Sequence, residues 1–513
     1  MRWYKSISRY SVLYQASILT ISGILLQGMG FCYRMLQSRL AGAEGLGMYT
    51  LTSPVYSLIV SVALSGICMA VNHLSAEEAA MGNYEALPRI FRVGVVLFVG
   101  LFLLMAVLLL CFQNDIAGIV LGEIRAKRAM ILFLPCIFLT GFENLCKNAC
   151  YGLREVRYPV ISELVEQGLR MMAVGTILWG AAPKTPEKAA ECIILGMTIS
   201  EVFSSFYMTH SLGKVYRAFP KGEKSERNHI GRSMVKIALP VSLSAVAGNL
   251  IGAVITVTLP KRLILYGLGP MDAVAALGVI NAMAVPLMYL PLTLIGPISS
   301  AVGPKITGSD ALGNYEDAER KSVKALEMAG LFAIPMCFSL VPPGMYIMER
   351  VFGHALKEGL LLVLGASAVF AAFQSVTSGI LVGYGRQKAA MVFNLLGGCL
   401  HLGMMWYLTP KMGLWGTLLG GLAGNILPTV LSFGYLKGML SLGVPFDKAI
   451  WRPCGIAFCC YVVGRAVWLF LGKGFLGSGG SVLASIGIYL LLVKTAGYSP
   501  KRYIKTLIPV AKR

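Results

Sequence analysis

The sequence has little charge, and less acid than base. Asp, Glu, Lys and Arg make up 13% of its 513 residues, about half the share of an ordinary soluble domain. A soluble chain of this length covers its surface with polar side chains, and this one has too few. A cytosolic enzyme, a disordered protein and a secreted domain are thereby excluded. There are only 5 histidines (His73, His210, His229, His354 and His401), far apart in sequence. No D-x-D, H-E-x-x-H, G-x-x-x-x-G-K-[ST] or G-x-S-x-G pattern occurs. Nothing therefore prepares a sugar-nucleotide, zinc, P-loop or serine-nucleophile site. No catalytic residue, metal or cofactor is expected. The 12 cysteines are scattered through apolar runs. Cys146 and Cys150 come nearest to a ligand pair but have no second pair to complete a site, so all are read as small apolar thiols.

What is present is apolar. Hydrophobic residues are 56% of the chain and mean hydropathy is +0.70, which leaves an all-α polytopic membrane protein. A spanning helix needs about 20 mostly apolar residues. On that basis fourteen runs are long enough, beginning with 11–33 and 48–72 and ending with 477–496. The fourth to eighth are 129–152, 159–181, 190–212, 234–258 and 274–301. The basic start (Arg2, Lys5, Arg9) leads into the first of these, which is too long for a cleaved signal.

The net charge of +21 would suggest nucleic acid in a soluble chain. In a many-pass protein it follows from the Lys and Arg that gather in cytoplasmic loops, so no nucleic-acid partner is expected. Most Lys and Arg fall on the side of the termini, which places both termini in the cytoplasm of a cell-membrane protein. The strongest cluster is Lys214, Arg217, Lys221, Lys224, Arg227 and Arg232, between the sixth and seventh runs. It reads as a topological anchor near anionic lipid headgroups.

That cluster also divides a repeat. Met81-Gly82-Asn83-Tyr84-Glu85 returns 231 positions later as Leu312-Gly313-Asn314-Tyr315-Glu316, and Arg89 as Arg320. Tyr151-Gly152-Leu153-Arg154 resembles Tyr384-Gly385-Arg386, pairing Arg154 with Arg386 at an offset of 232. Arg39-Leu40 and Arg262-Leu263, 223 apart, each precede a glycine-rich stretch. The reading is a six-helix unit duplicated in parallel: lobes at 1–228 and 229–440, then 441–513 with two extra helices and a basic cytoplasmic tail. Two like-oriented lobes suit a transporter.

Ionisable side chains inside the bilayer are costly and are functional candidates by default. In the fifth run Glu163, Glu166, Gln167 and Arg170 follow i, i+3, i+4, i+7 spacing and share one helix face. Arg170 lies about 18 Å into that helix at 1.5 Å per residue, with Glu166 one turn away as counter-ion. A polar stripe lining a cavity and a self-neutralising structural pair both fit. Glu143 with Asn144, and Glu201, are candidate H+ or Na+ coupling groups. Asn249, His73 and His401 read as interhelical contacts. Arg34, Arg39, Lys261 and Arg262 gather at the outer ends of the first and seventh runs, where cations are disfavoured. They either snorkel or bind an anionic group.

Several stretches carry a family resemblance: Arg39-Leu40-Ala41-Gly42-Ala43-Glu44-Gly45-Leu46-Gly47-Met48-Tyr49, Ile161-Ser162-Glu163 through Arg170, and Leu259-Pro260-Lys261-Arg262-Leu263. Ala282 to Leu292 and Ala311-Leu312-Gly313-Asn314 complete the ordered set. The chain resembles the multidrug/oligosaccharidyl-lipid/polysaccharide exporter superfamily, and within it the sporulation branch of the polysaccharide biosynthesis (oligosaccharide flippase) family. The resemblance implies fourteen helices in two lobes and alternating access. It further implies export of an undecaprenyl-linked sugar, a lipid II-like peptidoglycan precursor, in spore cortex or cell-wall synthesis. The partners would be that lipid-linked sugar pyrophosphate, membrane lipids, and H+ or Na+. The pyrophosphate contacts would fall to Arg34, Arg39, Arg170, Lys261 and Arg262. The run Gly252 to Leu259 and the first helix both lack the acid that many relatives carry there. That weakens a multidrug/cation antiporter, the alternative on this fold. A polytopic glycosyl- or acyltransferase is the third reading and lacks an acid or histidine cluster at one interface.

Overall fold

A computed structural model describes residues 12–219, 230–311, 313–440, 443, 446–472 and 474–495. Lys221, Lys224 and Arg227 of the basic cluster, Leu312 of the repeat, and both ends of the chain lie outside the described residues. Within them every element is helical. The reason is the solvent: hydrocarbon offers backbone N–H and C=O groups no partner, so each span satisfies its own.

The helices are α1 (12–41), α2 (43–80), α3 (Ala86–Cys111), α4 (Lys127–Gly152), α5 (Arg157–Ala181), α6 (Pro186–Ala218) and α7 (Ile230–Tyr266). They continue with α8 (270–311, interrupted by a turn at 289–291), α9 (Tyr315–Ser339), α10 (Glu358–Gly383), α11 (Gln387–Met412), α12 (Leu414–Met439), α13 (Asp447–Phe470) and α14 (Phe475–Thr495). By length and hydropathy alone 12 helical stretches qualify as spans. The first of these, Ile21–Ala80, is two helices broken at Gly42 (φ 70°, ψ 175°). α5 fails that criterion only because Arg157, Glu163, Glu166 and Arg170 crowd its first half. Counting both gives fourteen among the described residues. Most helices outrun the apolar stretches that announced them: α6 reaches Ala218 and α7 reaches Tyr266. Their polar ends continue past the hydrocarbon.

The backbone repeats as the sequence does. Residues with positive φ recur 231 positions apart: Gly82 (77°) and Gly313 (71°), Gly122 (72°) and Gly353 (79°), Arg154 (59°) and Gly385 (72°), Ala182 (37°) and Gly413 (59°). Each ends a helix or a turn where the chain reverses. The third pair shifts the register by one, equating Arg154 with Gly385 where sequence similarity pairs it with Arg386. The conformation, and not the side chain, is what the turn preserves.

The described residues pack into two compact units. The first runs to Lys261 and takes in 270–278; the second holds 262–269 and 279 onward. In the first, Phe98 of α3, Phe133 and Ile137 of α4, and Leu46, Met48 and Leu51 of α2 are fully buried. In the second the core combines large side chains such as Leu326, Phe373, Ile380 and Phe433 with small ones where α9 and α10 pack: Ala325, Ala329, Ala333, Ala368 and Ala372. Such residues let helix backbones approach closely, which is how helices associate where lipid is as apolar as leucine.

Candidate functional site: a buried ion-pair network

α4 and α5 of the first unit each turn a charged stripe inward, and α6 adds Glu201. The two stripes are built alike: Glu143 and Lys147 on α4, and Glu166 and Arg170 on α5, are both acid–base pairs at i, i+4. That spacing puts the two groups one above the other on a helix face, with the acid N-terminal in the favourable order. The stripes then cross-connect. Lys147 Nζ lies 2.9 Å from Glu143 Oε1 and 3.1 Å from Glu166 Oε2. Arg170 pairs with Glu166 on its own helix and reaches Glu201 Oε1 of α6 at 2.8 Å. Ser162 Oγ donates to Glu143 Oε1 at 2.8 Å, and Tyr151 Oη donates to Glu163 Oε1 at 3.3 Å.

The network is nearly dry. Side-chain exposure is 1% for Glu143, 3% for Glu201, 8% for Lys147, 12% for Glu166 and 18% for Arg170. Burying charges is tolerable only when they are paired and hydrogen-bonded, and the chain Glu143–Lys147–Glu166–Arg170–Glu201 alternates in sign. It is one negative charge out of balance, with three carboxylates against two cations. Two atoms at the Arg170–Glu201 end, Glu201 Oε2 and Arg170 Nε, are buried without a hydrogen-bond partner. Tyr33 of α1 and Tyr49 of α2 lie within electrostatic range of Arg170, so the site draws on five helices.

Oxygens of Glu143, Glu166 and Glu201 approach within 4.8 Å of one another, a spacing a bound cation could bridge. Lys147 and Arg170 already supply two positive charges among them. One further positive charge balances the set; a divalent ion would overshoot it. The chemistry fits a proton or a monovalent cation better than a divalent metal.

The remaining sequence candidates sit elsewhere. Arg34 is half-buried beside Tyr49, and Arg39 is exposed, both on α1. Lys261 ties α7 to the 112–126 connection through the carbonyls of Ile119 (2.9 Å) and Val120 (2.7 Å). Its ammonium forms the rim of an apolar cavity of about 670 Å³ that includes Leu108, Val254 and Val257. Arg262, in the second unit, lies over the ring of Trp406 at 3.0 Å from the centroid. Asn249 donates to Ser61 Oγ at 2.6 Å, an interhelical contact. His401 packs against Gly424 of α12, and His73 is exposed.

Lys147 is the residue sequence reasoning missed. It lies near the end of an apolar run, where a lysine ordinarily reaches for the interface. The i, i+4 spacing it shares with Glu166–Arg170 was the available signal. A second pattern is visible only once the repeat is fixed at 231. At the equivalent positions Glu143 becomes Gln374, Lys147 becomes Ser378, Glu163 becomes Asn394, Glu166 becomes Gly397, Arg170 becomes His401 and Glu201 becomes Ser432. The ionic site of the first repeat has a counterpart without carboxylate, ammonium or guanidinium in the second.

Residues 19–174 match the MatE family. The chain is 22% identical over 489 residues to stage V sporulation protein B of Bacillus subtilis (strain 168), covering 93% of each chain. Among solved structures it is similar to lipid II flippase MurJ in an inward closed conformation. That match has a TM-score of 0.69 at 14% identity, over 93% of this chain and 98% of that one. It is also similar to a multidrug resistance MATE family transporter of the MOP superfamily in an inward-facing conformation. There the TM-score is 0.62 at 16% identity, over 82% of this chain and 98% of the other. The likeness to these solved structures is one of fold, that of a multi-pass membrane protein.

Proposed function

We propose that this chain, a MatE-domain protein of the MOP transporter superfamily, is a flippase for an undecaprenyl-linked oligosaccharide or peptidoglycan precursor. In this reading it works in spore cortex or cell-wall synthesis, catalyses no covalent step, and sits in the cell membrane with both termini cytoplasmic. The six-helix lobes 1–228 and 229–440 alternate in exposing a cavity to the two faces, and 441–513 adds two helices. The likeness to stage V sporulation protein B and to lipid II flippase MurJ supports the cargo class.

The observation that carries the proposal is the placement of Arg170 between Glu166 and Glu201. A guanidinium fork suits a pyrophosphate as well as it suits carboxylates. Glu201 has one oxygen without a partner, so a proton has a place to land. Protonated Glu201 accepts more weakly and frees one N–H of Arg170 Nη2 for the incoming pyrophosphate. Deprotonation takes that N–H back and expels the cargo. Glu143, tied to the same chain through Lys147, is the second candidate for H+ or Na+. Arg34, Arg39 and Arg262 remain proposed anion contacts along the path. Lys261, already holding two carbonyls, is the weakest of that group.

The test is transport in vesicles together with rescue of cells depleted of their lipid II flippase. Wild type should move lipid-linked precursor under an H+ or Na+ gradient, Arg170→Ala should not, and Glu201→Gln should move it without responding to the gradient. Absence of transport under every gradient, with no rescue, would overturn the reading. A multidrug/cation antiporter is the second reading, favoured by the unbalanced negative charge of the same network. It predicts gradient-dependent efflux of organic cations and drug resistance on overexpression.

A further inference from the structure

The second unit contains a cavity of about 530 Å³ between α8, α10 and α11. Its polar lining consists of Ser299, Gln374, Ser375, Ser378 and Asn394, and none of its lining residues is ionisable. In a chain whose first unit carries charges at three of the equivalent positions, this neutrality is informative. Gln374 and Ser378 stand where Glu143 and Lys147 stand in the first repeat, and Asn394 stands where Glu163 does. The i, i+4 acid–base pair on α4 has become an amide and a hydroxyl on α10.

The groups are arranged to leave hydrogen-bonding capacity in the cavity. Gln374 Nε2 donates to Asn394 Oδ1 at 2.8 Å. An amide pair joined by one such bond retains an acceptor on Gln374 and a donor on Asn394. Ser299 Oγ donates to the Ser375 carbonyl at 2.6 Å, fixing α8 against α10 beside the site. Glycines 303 and 379 keep this wall thin: a Cβ on Gly379 would lie 2.6 Å from the Ser299 carbonyl oxygen. Alternating donors and acceptors without charge suit hydroxyl and acetamide groups. They do not suit phosphate, which would lose water and gain no cation.

We propose that this cavity is a subsite for the uncharged, hydroxyl- and amide-bearing portion of the cargo, an N-acetylated sugar in chemical class. The two repeats then divide recognition, the first taking the charged group and the second the neutral one. The inference rests on the flippase reading for its biological setting, but it is read separately.

Vesicles carrying the protein are given a polyprenyl pyrophosphate with one N-acetylhexosamine, and the same lipid pyrophosphate without sugar. Gln374→Leu and Asn394→Leu should each slow the sugar-bearing lipid about tenfold, the size of one or two neutral hydrogen bonds. Transport of the bare lipid should stay within about twofold. An equal fall for both lipids in folded protein, or no fall for either, overturns the inference. Binding is also read without transport, by saturation-transfer NMR with free N-acetylglucosamine on the purified full chain. Wild type and Glu166→Gln should give a signal that Asn394→Leu lacks. Asn394 is exposed, so its replacement spares the core. Equal signals from all three proteins overturn the subsite whatever the vesicles do, whereas sugar binding without any transport would sink the flippase reading alone.

Discussion

Gly47 and Gly278 stand 231 positions apart, at the same place in the two repeats, and they touch. A Cβ on Gly278 would lie 2.6 Å from the Gly47 nitrogen and would overlap the Ala43 carbonyl. A Cβ on Gly47 would overlap the carbonyl of Val274. Equivalent backbones therefore meet directly, with no side chain between them, where α2 begins and α8 turns. The blocking atoms are main chain and have no rotamer to change.

Gly47→Ala and Gly278→Ala should each destabilise the protein by about 1–3 kcal/mol or more, the cost of overpacking a fixed contact. Gly248→Ala is the control, since a Cβ there would meet nothing within 4 Å. Melting temperature in detergent should fall for the first two and hold for the third. A stable Gly47→Ala would show that α2 and the start of α8 separate easily.

Ala182 adopts a left-handed conformation (φ 37°, ψ 62°) at the end of α5, where the second repeat has Gly413. Left-handed backbone costs a residue with a Cβ about 1–2 kcal/mol. Glycine gives back about 0.4–1 kcal/mol through the freer unfolded chain. Ala182→Gly should therefore stabilise by roughly 0.5–1 kcal/mol. Gly413→Ala should destabilise, and more severely, because its Cβ would also press the Tyr266 ring at 2.8 Å. Thermal melts of the two variants check the opposite signs.

Removing Arg170 strands the buried Glu201, while Glu166 keeps Lys147. Arg170→Ala should cost about 3–5 kcal/mol, the usual penalty for breaking a buried pair from one side. Replacing Arg170 and Glu201 together by glutamines should recover most of that stability, because the cation and the carboxylate it alone neutralises leave together. If transport stays lost in the stable double variant, the pair works in transport; if it returns, the pair only packs helices.

Arg262 and Trp406 should be coupled. A guanidinium over an exposed indole contributes about 0.5–1 kcal/mol, and Trp406 is 54% exposed. A double-mutant cycle of Arg262→Ala and Trp406→Leu should return a coupling of that size. Arg262→Lys should retain the charge and lose part of the stacking. A coupling of zero would free Arg262 for another partner.

The number of helices, their order and the duplication were legible in the sequence because each rests on local signals: apolar run length, and the Gly-Asn-Tyr-Glu turn that recurs at 231. The Glu166–Arg170 pair was legible for the same reason, since both partners lie on one helix. What joined it to Glu201 and Lys147 was not, because those bonds depend on how α4, α5 and α6 pack side by side. Lys147 had been hidden by position, and Gln374 and Asn394 by chemistry. A search for charge in a membrane passes over amides, and the turn geometry at Arg154 and Gly385 extends the offset of 231 to the helices that equate them with Glu143 and Glu163.

The asymmetry of the repeats has an electrical consequence. At six equivalent positions, the carboxylates and cations all fall in the first repeat. A membrane voltage does about 2.3 kcal/mol of work per elementary charge per 100 mV, and at these positions it finds charge to act on in one half only. A proton that neutralises the odd carboxylate changes the charge carried by that five-residue network from minus one to zero, while the amide-lined half is untouched. At these six positions the membrane potential acts on the first repeat alone.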